Sequence, residues 1–213
     1  PVMINPESKK REEVRKDEDY RASSISGGRE NVLAEKPASA GLMRYAIYQA
    51  DYKAELEENV ITIKGDVVFQ IFEKGWTQLP LVRNDVGLLD VSVNRGAAFV
   101  MMIGDKYYLM IDKPGRYSLS IEYLIKANRE RENGPGNFSF EMMPAPISQV
   151  EFTMPETGVE IFVDPAIKVE VKKEGPKTVA WAVMPNTRSV TVRWTKEIVK
   201  EDIKPVELEP KVY

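Results

Sequence analysis

Apolar and polar residues alternate with a period of two along most of this chain. In "NVITIKGDVVFQIF" Val60 and Thr62 fall on one face and Ile61 and Ile63 on the other, and Val67, Phe69 and Ile71 then share a face. "LLDVSVNRG" sets Leu89, Val91 and Val93 inward, and "GAAFVMMIGDKYYLMID" reads as a hairpin about Gly104-Asp105. "GRYSLSIEYLIKA" places Tyr117, Leu119, Ile121, Tyr123 and Ile125 against Arg116, Ser118, Ser120 and Glu122. "NFSFEMM", "SQVEFTM", "VEIFVD", "IKVEVKK", "TVAWAVM" and "SVTVRWTKEI" follow, broken by glycine or proline. A two-residue period is that of a strand with one buried face. Short strands at this spacing, without intervening helical patterns, predict an all-β fold: an antiparallel β-sandwich of roughly ten strands.

The pattern also divides the chain. Residues 1–41 lack it: "KKREEVRKDEDYR" is nearly all charge of both signs, and a stretch rich in Ser, Gly and Ala follows. Such a segment buries too little apolar surface to offset its ordering entropy, so it reads as a flexible charged tether. The alternative is a short partner-docking helix, supported by the i,i+4 pair Glu12–Lys16. The sandwich is expected over 42–200. Residues 201–213, within "VKEDIKPVELEPKVY", read as an extended tail or a linker to a following segment. "KANRERENGPGN" (126–137) is polar and glycine-bearing, and is expected to form a long exposed hairpin loop. "MPAPISQVEFT" and "MPNTRSVTVRWT" share a Met-Pro, a turn, a Ser and an alternating strand. That echo arises either from turn chemistry or from duplication of a half-domain.

Two of the three tryptophans flank a Pro-Asn turn in "TVAWAVMPNTRSVTVRW". Read as a hairpin, the segment pairs Val183 with Val190 and Trp181 with Val192. It puts Trp181 and Trp194 on one face with four valines, opposite Thr and Arg. That face is expected to be the inner one, making both indoles core residues rather than a ligand platform. Trp76, after a glycine turn, is the tryptophan expected to be exposed.

Composition narrows the chemistry. With 213 residues, 43% of them hydrophobic, the chain can bury one good core. A net charge of −3 and a pI near 5.4 supply no basic field for nucleic acid. No apolar run approaches the roughly 18–20 residues that span a bilayer. The chain opens on Pro1 with no visible secretory signal, as expected of a trimmed or processed product. Cysteine and histidine are both absent. This removes disulfides, thiol chemistry, Cys/His zinc sites and Ser-His or Cys-His nucleophile pairs.

Any catalysis would therefore rest on carboxylates, Lys, Tyr or Ser. Asp66, Asp85, Asp90, Asp105, Asp112, Glu122, Glu141 and Asp164 lie mostly beside turns or at outward positions, as solvated charges that discourage sheet-to-sheet pairing. Nothing in their spacing marks the pair, about 5–5.5 Å apart, that a retaining glycosidase needs. No D-x-D-x-D-G calcium run occurs. "NRGAAFVMM" and "NGPGN" lack the strand–loop–helix setting and the Lys of a phosphate cradle. Candidate ligand contacts are Trp76, Tyr107 and Tyr108, for stacking on a glycan, and Arg129 and Arg131 in the polar loop. No cofactor, metal or catalytic residue is expected.

"IGDKYYLMIDKPGRYSLSIEY", with "FTMPETGVEIFVD" after it, resembles the β-sandwich portions of large bacterial cell-envelope proteins over about Val60 to Glu197. The resemblance implies an extracytoplasmic, immunoglobulin-like module of a longer polypeptide, in the periplasm or cell envelope. Such a module would be non-catalytic and would recognise a protein or glycan partner through loops and strand edges. A carbohydrate-binding module is the alternative, and a carboxylate-based hydrolase a remoter one.

Overall fold

The computed structural model describes residues 43–196, except 130, 132 and 133. The expected tether of residues 1–41 and the tail of 201–213 lie outside these residues. The described residues are all β, with no helix and fourteen strands. They are β1 (Tyr45–Glu57), β2 (Val60–Ile71), β3 (Thr77–Arg83), β4 (Gly87–Val93), β5 (Ala98–Ile103), β6 (Lys106–Ile111) and β7 (Gly115–Lys126). Then come β8 (Asn128–Arg129), β9 (Gly136–Glu141), β10 (Ile147–Met154), β11 (Val159–Asp164), β12 (Lys168–Glu174), β13 (Lys177–Val183) and β14 (Ser189–Lys196).

They form three sheets: seven strands in the order β12-β13-β10-β1-β2-β7-β4, four in the order β11-β14-β9-β8, and three in the order β3-β6-β5. Pairing is antiparallel throughout, save that β1 and β10 run parallel at the centre of the large sheet. One contiguous cluster of buried side chains draws on all three sheets. Phe152 of the large sheet meets Phe138 of β9 and Trp194 of β14 at 5.2 and 5.9 Å between ring centres, and Tyr52 meets Phe140 at 5.9 Å. Leu79, Leu109 and Ile111 bring the small sheet into the same core. The arrangement is sandwich-like.

Strands β2 and β7 bury the residues that alternation assigns: Ile61, Ile63, Val67, Phe69 and Ile71 on one, Tyr117, Leu119, Ile121 and Tyr123 on the other. At the centre of β2 a glycine replaces the expected side chain. The ring of Tyr52, from β1, fills the space over Gly65, and a Cβ there would lie 2.5 Å from its Cε1. The Tyr52 hydroxyl accepts a hydrogen bond from the Met143 N–H at 3.0 Å.

Burial pushes the Tyr52 hydroxyl up to about 12. Burial raises that of Tyr123 as well, helped by the neighbouring Tyr52 and Glu141. Both rings are therefore neutral in the fold at pH values where an unfolded chain ionises them. The native state binds more protons than the unfolded one between pH 10 and about 12. The stability these tyrosines contribute is complete below pH 10 and is lost as pH climbs through that window. Alkaline titration should show Tyr52 and Tyr123 ionising only as the β-sheet circular dichroism collapses. If Tyr52 and Tyr123 ionise near the ordinary tyrosine value with the fold intact, the burial account is wrong.

Several expectations need correction. Trp181 and Trp194 do not share a hairpin. β13 pairs with β10 and β12 in the large sheet, whereas β14 pairs with β11 and β9 in another, and Met184–Arg188 carries the chain between them. The inner face of β13 differs from the expected one: Val179 is buried as expected, but Thr178, Ala180 and Ala182 are buried too, while Trp181 is half-exposed and Val183 exposed. The cause is register. β10 sends Val150, Phe152 and Met154 inward, and these stand opposite Ala182, Ala180 and Thr178. Small residues beside Phe152 leave it room, and the larger Trp181 follows the parity outward.

Leu89 is outward too, because a β-bulge between Leu88 and Asp90 shifts the pattern by one residue. The 126–137 segment is no simple hairpin loop. β7 belongs to the large sheet and β8 pairs with β9 in the four-stranded one, so the chain changes sheet at the buried Ala127. The two echoing segments likewise deliver their strands, β10 and β14, to different sheets.

Candidate functional site

The three-stranded sheet carries the feature that stands furthest from what a soluble surface requires. Among the described residues strand β5, "AFVMMI", is an edge, paired only with β6. Phe99, Val100, Met101, Met102 and Ile103 are between 36% and 58% exposed, so both faces of the strand meet solvent with apolar side chains. Thr77 is buried and Trp76 beside it is turned out. Trp76 is 51% exposed and meets Phe99 edge-on at 5.1 Å. Register sets Phe99 opposite Met110 and Met101 opposite Tyr108. The outer face of this sheet is therefore an aromatic and methionine surface built from Trp76, Phe99, Met101 and Tyr108.

The other sheet edges carry the protections that natural proteins use. β12 is "KVEVKKE", with Lys172 bridged to Glu170 at 2.8 Å. β4 has its bulge and Asp90. β11 presents Glu160 and Asp164, and β8 is two residues long. β3 contains Pro80 and an irregularity before Arg83. β5 has no charge, no proline and no bulge. Left bare, such a strand is a template for pairing with another chain.

The structure separates the candidate residues named from the sequence. Trp76 and Tyr108 lie on the outer face of the small sheet. Tyr107, one residue along β6, alternates to the opposite side and packs against the core. Arg129 is clamped inside: its side chain is 4% exposed, Nε donates to Asn59 Oδ1 at 2.8 Å, and Nη1 lies 3.6 Å from Glu156 Oε1. This geometry fits an anchor between β8 and neighbouring loops better than a ligand contact. Arg131 is exposed, and both arginines border an open depression of about 610 Å³ with Asn137, Arg193 and Trp194.

Phe99, Met101 and Ile103 were missed as surface residues. The signal lay in "AFVMMI", an uncharged apolar run inside a hairpin, which alternation cannot place on one buried face.

A second site lies on the outer face of the large sheet. Trp181 donates from Nε1 to Glu151 Oε2 at 3.3 Å and has Lys172 Nζ 5.3 Å from its ring centre. It borders a depression of about 310 Å³ with Asp51, Lys53, Glu151, Lys168 and Glu170. Because this indole lies outside the core, Trp181→Ala should cost about 1 kcal/mol or less in urea unfolding. A loss of several kcal/mol would show that the ring is structural.

Elsewhere the acidic residues are dispersed. Glu141, at 20% side-chain exposure, bridges Arg83 at 3.4 Å and Lys106 at 3.5 Å. Among the described residues no three His, Cys, Asp or Glu converge in a way that could hold a metal ion. No helix there is long and apolar enough to cross a membrane.

The fold and this surface define a class: an all-β, sandwich-like module with one unprotected strand edge among the described residues. No family model matches the sequence, and no curated protein matches it. Solved structures do share the fold. Aminopeptidase A of Legionella pneumophila is 10% identical, with a TM-score of 0.51 over 73% of this chain and 22% of its own. A putative nutrient binding protein of the same organism is 9% identical, with a TM-score of 0.50 over 71% of this chain and 67% of its own. An M1 zinc metallopeptidase from Deinococcus radiodurans is 12% identical, with a TM-score of 0.46 over 70% of this chain. The chain spans 42% of that peptidase, less than half its length. At such identities the likeness extends to the fold alone.

Proposed function

We propose that this chain is a non-catalytic docking module of a longer, envelope-associated bacterial polypeptide, and that it recognises a protein partner through the free edge and outer face of the three-stranded sheet. The observation that carries this reading is β5, whose exposed apolar side chains and unprotected edge match the demands of strand addition. In that mode main-chain hydrogen bonds supply affinity and alternate side chains supply selectivity. An exposed aromatic-methionine surface suits the same role, because such residues form the centres of protein interfaces. The resemblance to envelope-protein sandwiches supports an extracytoplasmic setting.

A photo-crosslinking residue placed at Phe99 should form discrete protein adducts in native extract, and one placed at Leu89, more exposed but on a protected edge, should form none. Equal labelling from both positions, or none from Phe99, removes the reading. A second reading, a glycan site, is supported by the half-exposed Trp181 among Lys53, Glu151 and Glu170. Glycan-array binding lost in Trp181→Ala would establish it, and an array without binding would dismiss it.

A further inference from the structure

We infer that the occupant of the β5 edge is β5 of a second copy of this chain, paired antiparallel about a two-fold axis at Val100. The inference rests on the docking reading above and assigns its partner.

The hydrogen-bond phase of the hairpin comes first. Gly104 and Asp105 form a two-residue turn between Ile103 and Lys106, with positive φ at Gly104 (63°). The residues flanking such a turn exchange hydrogen bonds, and bonded pairs then alternate. Ile103–Lys106, Met101–Tyr108 and Phe99–Met110 are the bonded pairs of this register. The N–H and C=O groups of Ala98, Val100 and Met102 accordingly point away from β6, toward the open edge.

Those three positions are self-complementary. An axis at Val100 pairs it with the partner's Val100 and sets Ala98 against the partner's Met102, in both directions. Every outward backbone group on the strand then finds a partner, joining two three-stranded sheets into one of six.

Side chains agree with this register. Phe99 falls opposite the partner's Met101 at a non-hydrogen-bonded position, where side chains approach closely. No charge lies between Gly96 and Gly104, so no like charges meet. The charged residues that bracket the run are Arg95 and Asp105, each five positions from Val100. Arg95 lies before the strand, with its guanidinium over the Tyr117 ring at 5.1 Å, so the pairing rests on the backbone phase and the uncharged run. A two-fold pairing of one patch with itself is the commonest symmetry of soluble oligomers.

Sedimentation velocity on the full chain tests this. The chain should sediment at twice its own mass, and Val100→Pro should return it to one. Proline at Val100 removes an N–H that faces the open edge and none that bonds β6, so the far-ultraviolet spectrum should be unchanged. If Val100→Pro does not fold, Met102→Lys carries the same test. Because the chain has no cysteine, Val100→Cys provides an independent readout. It should oxidise to a covalent dimer at least ten-fold faster than Leu89→Cys, since an antiparallel bonded pair spaces its Cα atoms about 5.5 Å apart, within disulfide reach.

A chain that stays monomeric, with the two cysteines oxidising at equal rates, overturns the inference. A dimer that survives both substitutions at unchanged affinity overturns it too. A monomer whose Phe99 position still crosslinks a different protein ends the second-copy assignment and leaves the docking reading standing. A monomer without such adducts ends both.

Discussion

Trp194→Ala is expected to destabilise the domain by roughly 3–5 kcal/mol, the range for removing a large aromatic from a core. The indole is 2% exposed. It lies between Phe138 and Phe152, at 6.3 and 5.9 Å, and so joins the four-stranded sheet to the large one. Its Nε1 donates to the Gly134 carbonyl at 3.2 Å, which fastens the 126–137 segment to β14. Gly136 has no room for a side chain because this ring occupies the place of a Cβ. Alanine would therefore leave a cavity, an unpaired carbonyl and a loosened segment together.

At about 2–4 °C per kcal/mol for a domain of this size, the melting temperature should fall by about 6–20 °C. Trp194→Phe should recover the packing but not the hydrogen bond. Urea unfolding of the two variants beside Trp181→Ala checks the assignment. Trp194→Ala must be the most damaging of the three, and the reverse order for the two alanine variants would contradict the fold's account of its tryptophans.

The second large effect is expected at Gly65. Its Cβ would meet Tyr52 Cε1 at 2.5 Å, Tyr52 Cδ1 at 2.9 Å and Ile121 Cγ2 at 3.0 Å. The constraint is space rather than backbone geometry, since Gly65 is absent from the positive-φ glycines. Tyr52 has little freedom to yield. It is buried, it packs on Phe140, and its hydroxyl holds the Met143 N–H. Gly65→Ala should cost about 2–4 kcal/mol, from overpacking together with a strained or broken buried hydrogen bond. Tyr52→Leu should relieve the clash, so the double variant should lose less than the sum of the single losses, with a coupling of about 0.5–3 kcal/mol. Strict additivity in denaturant melts would mean that the tyrosine does not fill the glycine's place.

Legibility of the fold in the sequence followed side-chain contrast. β2 and β7 alternate large apolar residues with polar ones, and their inward sets were readable residue by residue. β1 was not recognised although Ala50, Tyr52, Ala54 and Leu56 alternate with Asp51, Lys53, Glu55 and Glu57. Its alanines, glutamates and lysine are poor strand formers, and only pairing with β2 and β10 overrides that preference. β3 was hidden by Pro80, which demotes a strand when read locally. β8 is too short for any period to show.

The face of β13 was misread for a different reason. Valine and tryptophan carry more apolar weight than alanine, but Phe152 on the neighbouring strand takes the inner volume. Which neighbour a strand will have is not written in its own residues.

The candidate surface was legible in part. Trp76 was expected in solvent and is there, and Tyr108 shares its face. The decisive strand β5 was seen as a hairpin arm, yet nothing local distinguishes an arm that will be covered from one that will not. That information is in the sheet order, which leaves β5 outermost. Arg129 shows the converse case: a charge in a polar loop suggested a ligand contact, and long-range neighbours Asn59 and Glu156 enclose it instead.

Residue-resolved amide exchange along β5 in the full chain addresses the central claim, that this edge is an occupied surface. Phe99, Met101 and Ile103 should be protected by β6 under all conditions. Ala98, Val100 and Met102 should be comparably protected at concentrations where the chain self-associates, and should lose that protection on dilution or in Val100→Pro. If those three amides exchange at solvent-exposed rates at every concentration, the edge stands bare and the assignment of its occupant is wrong.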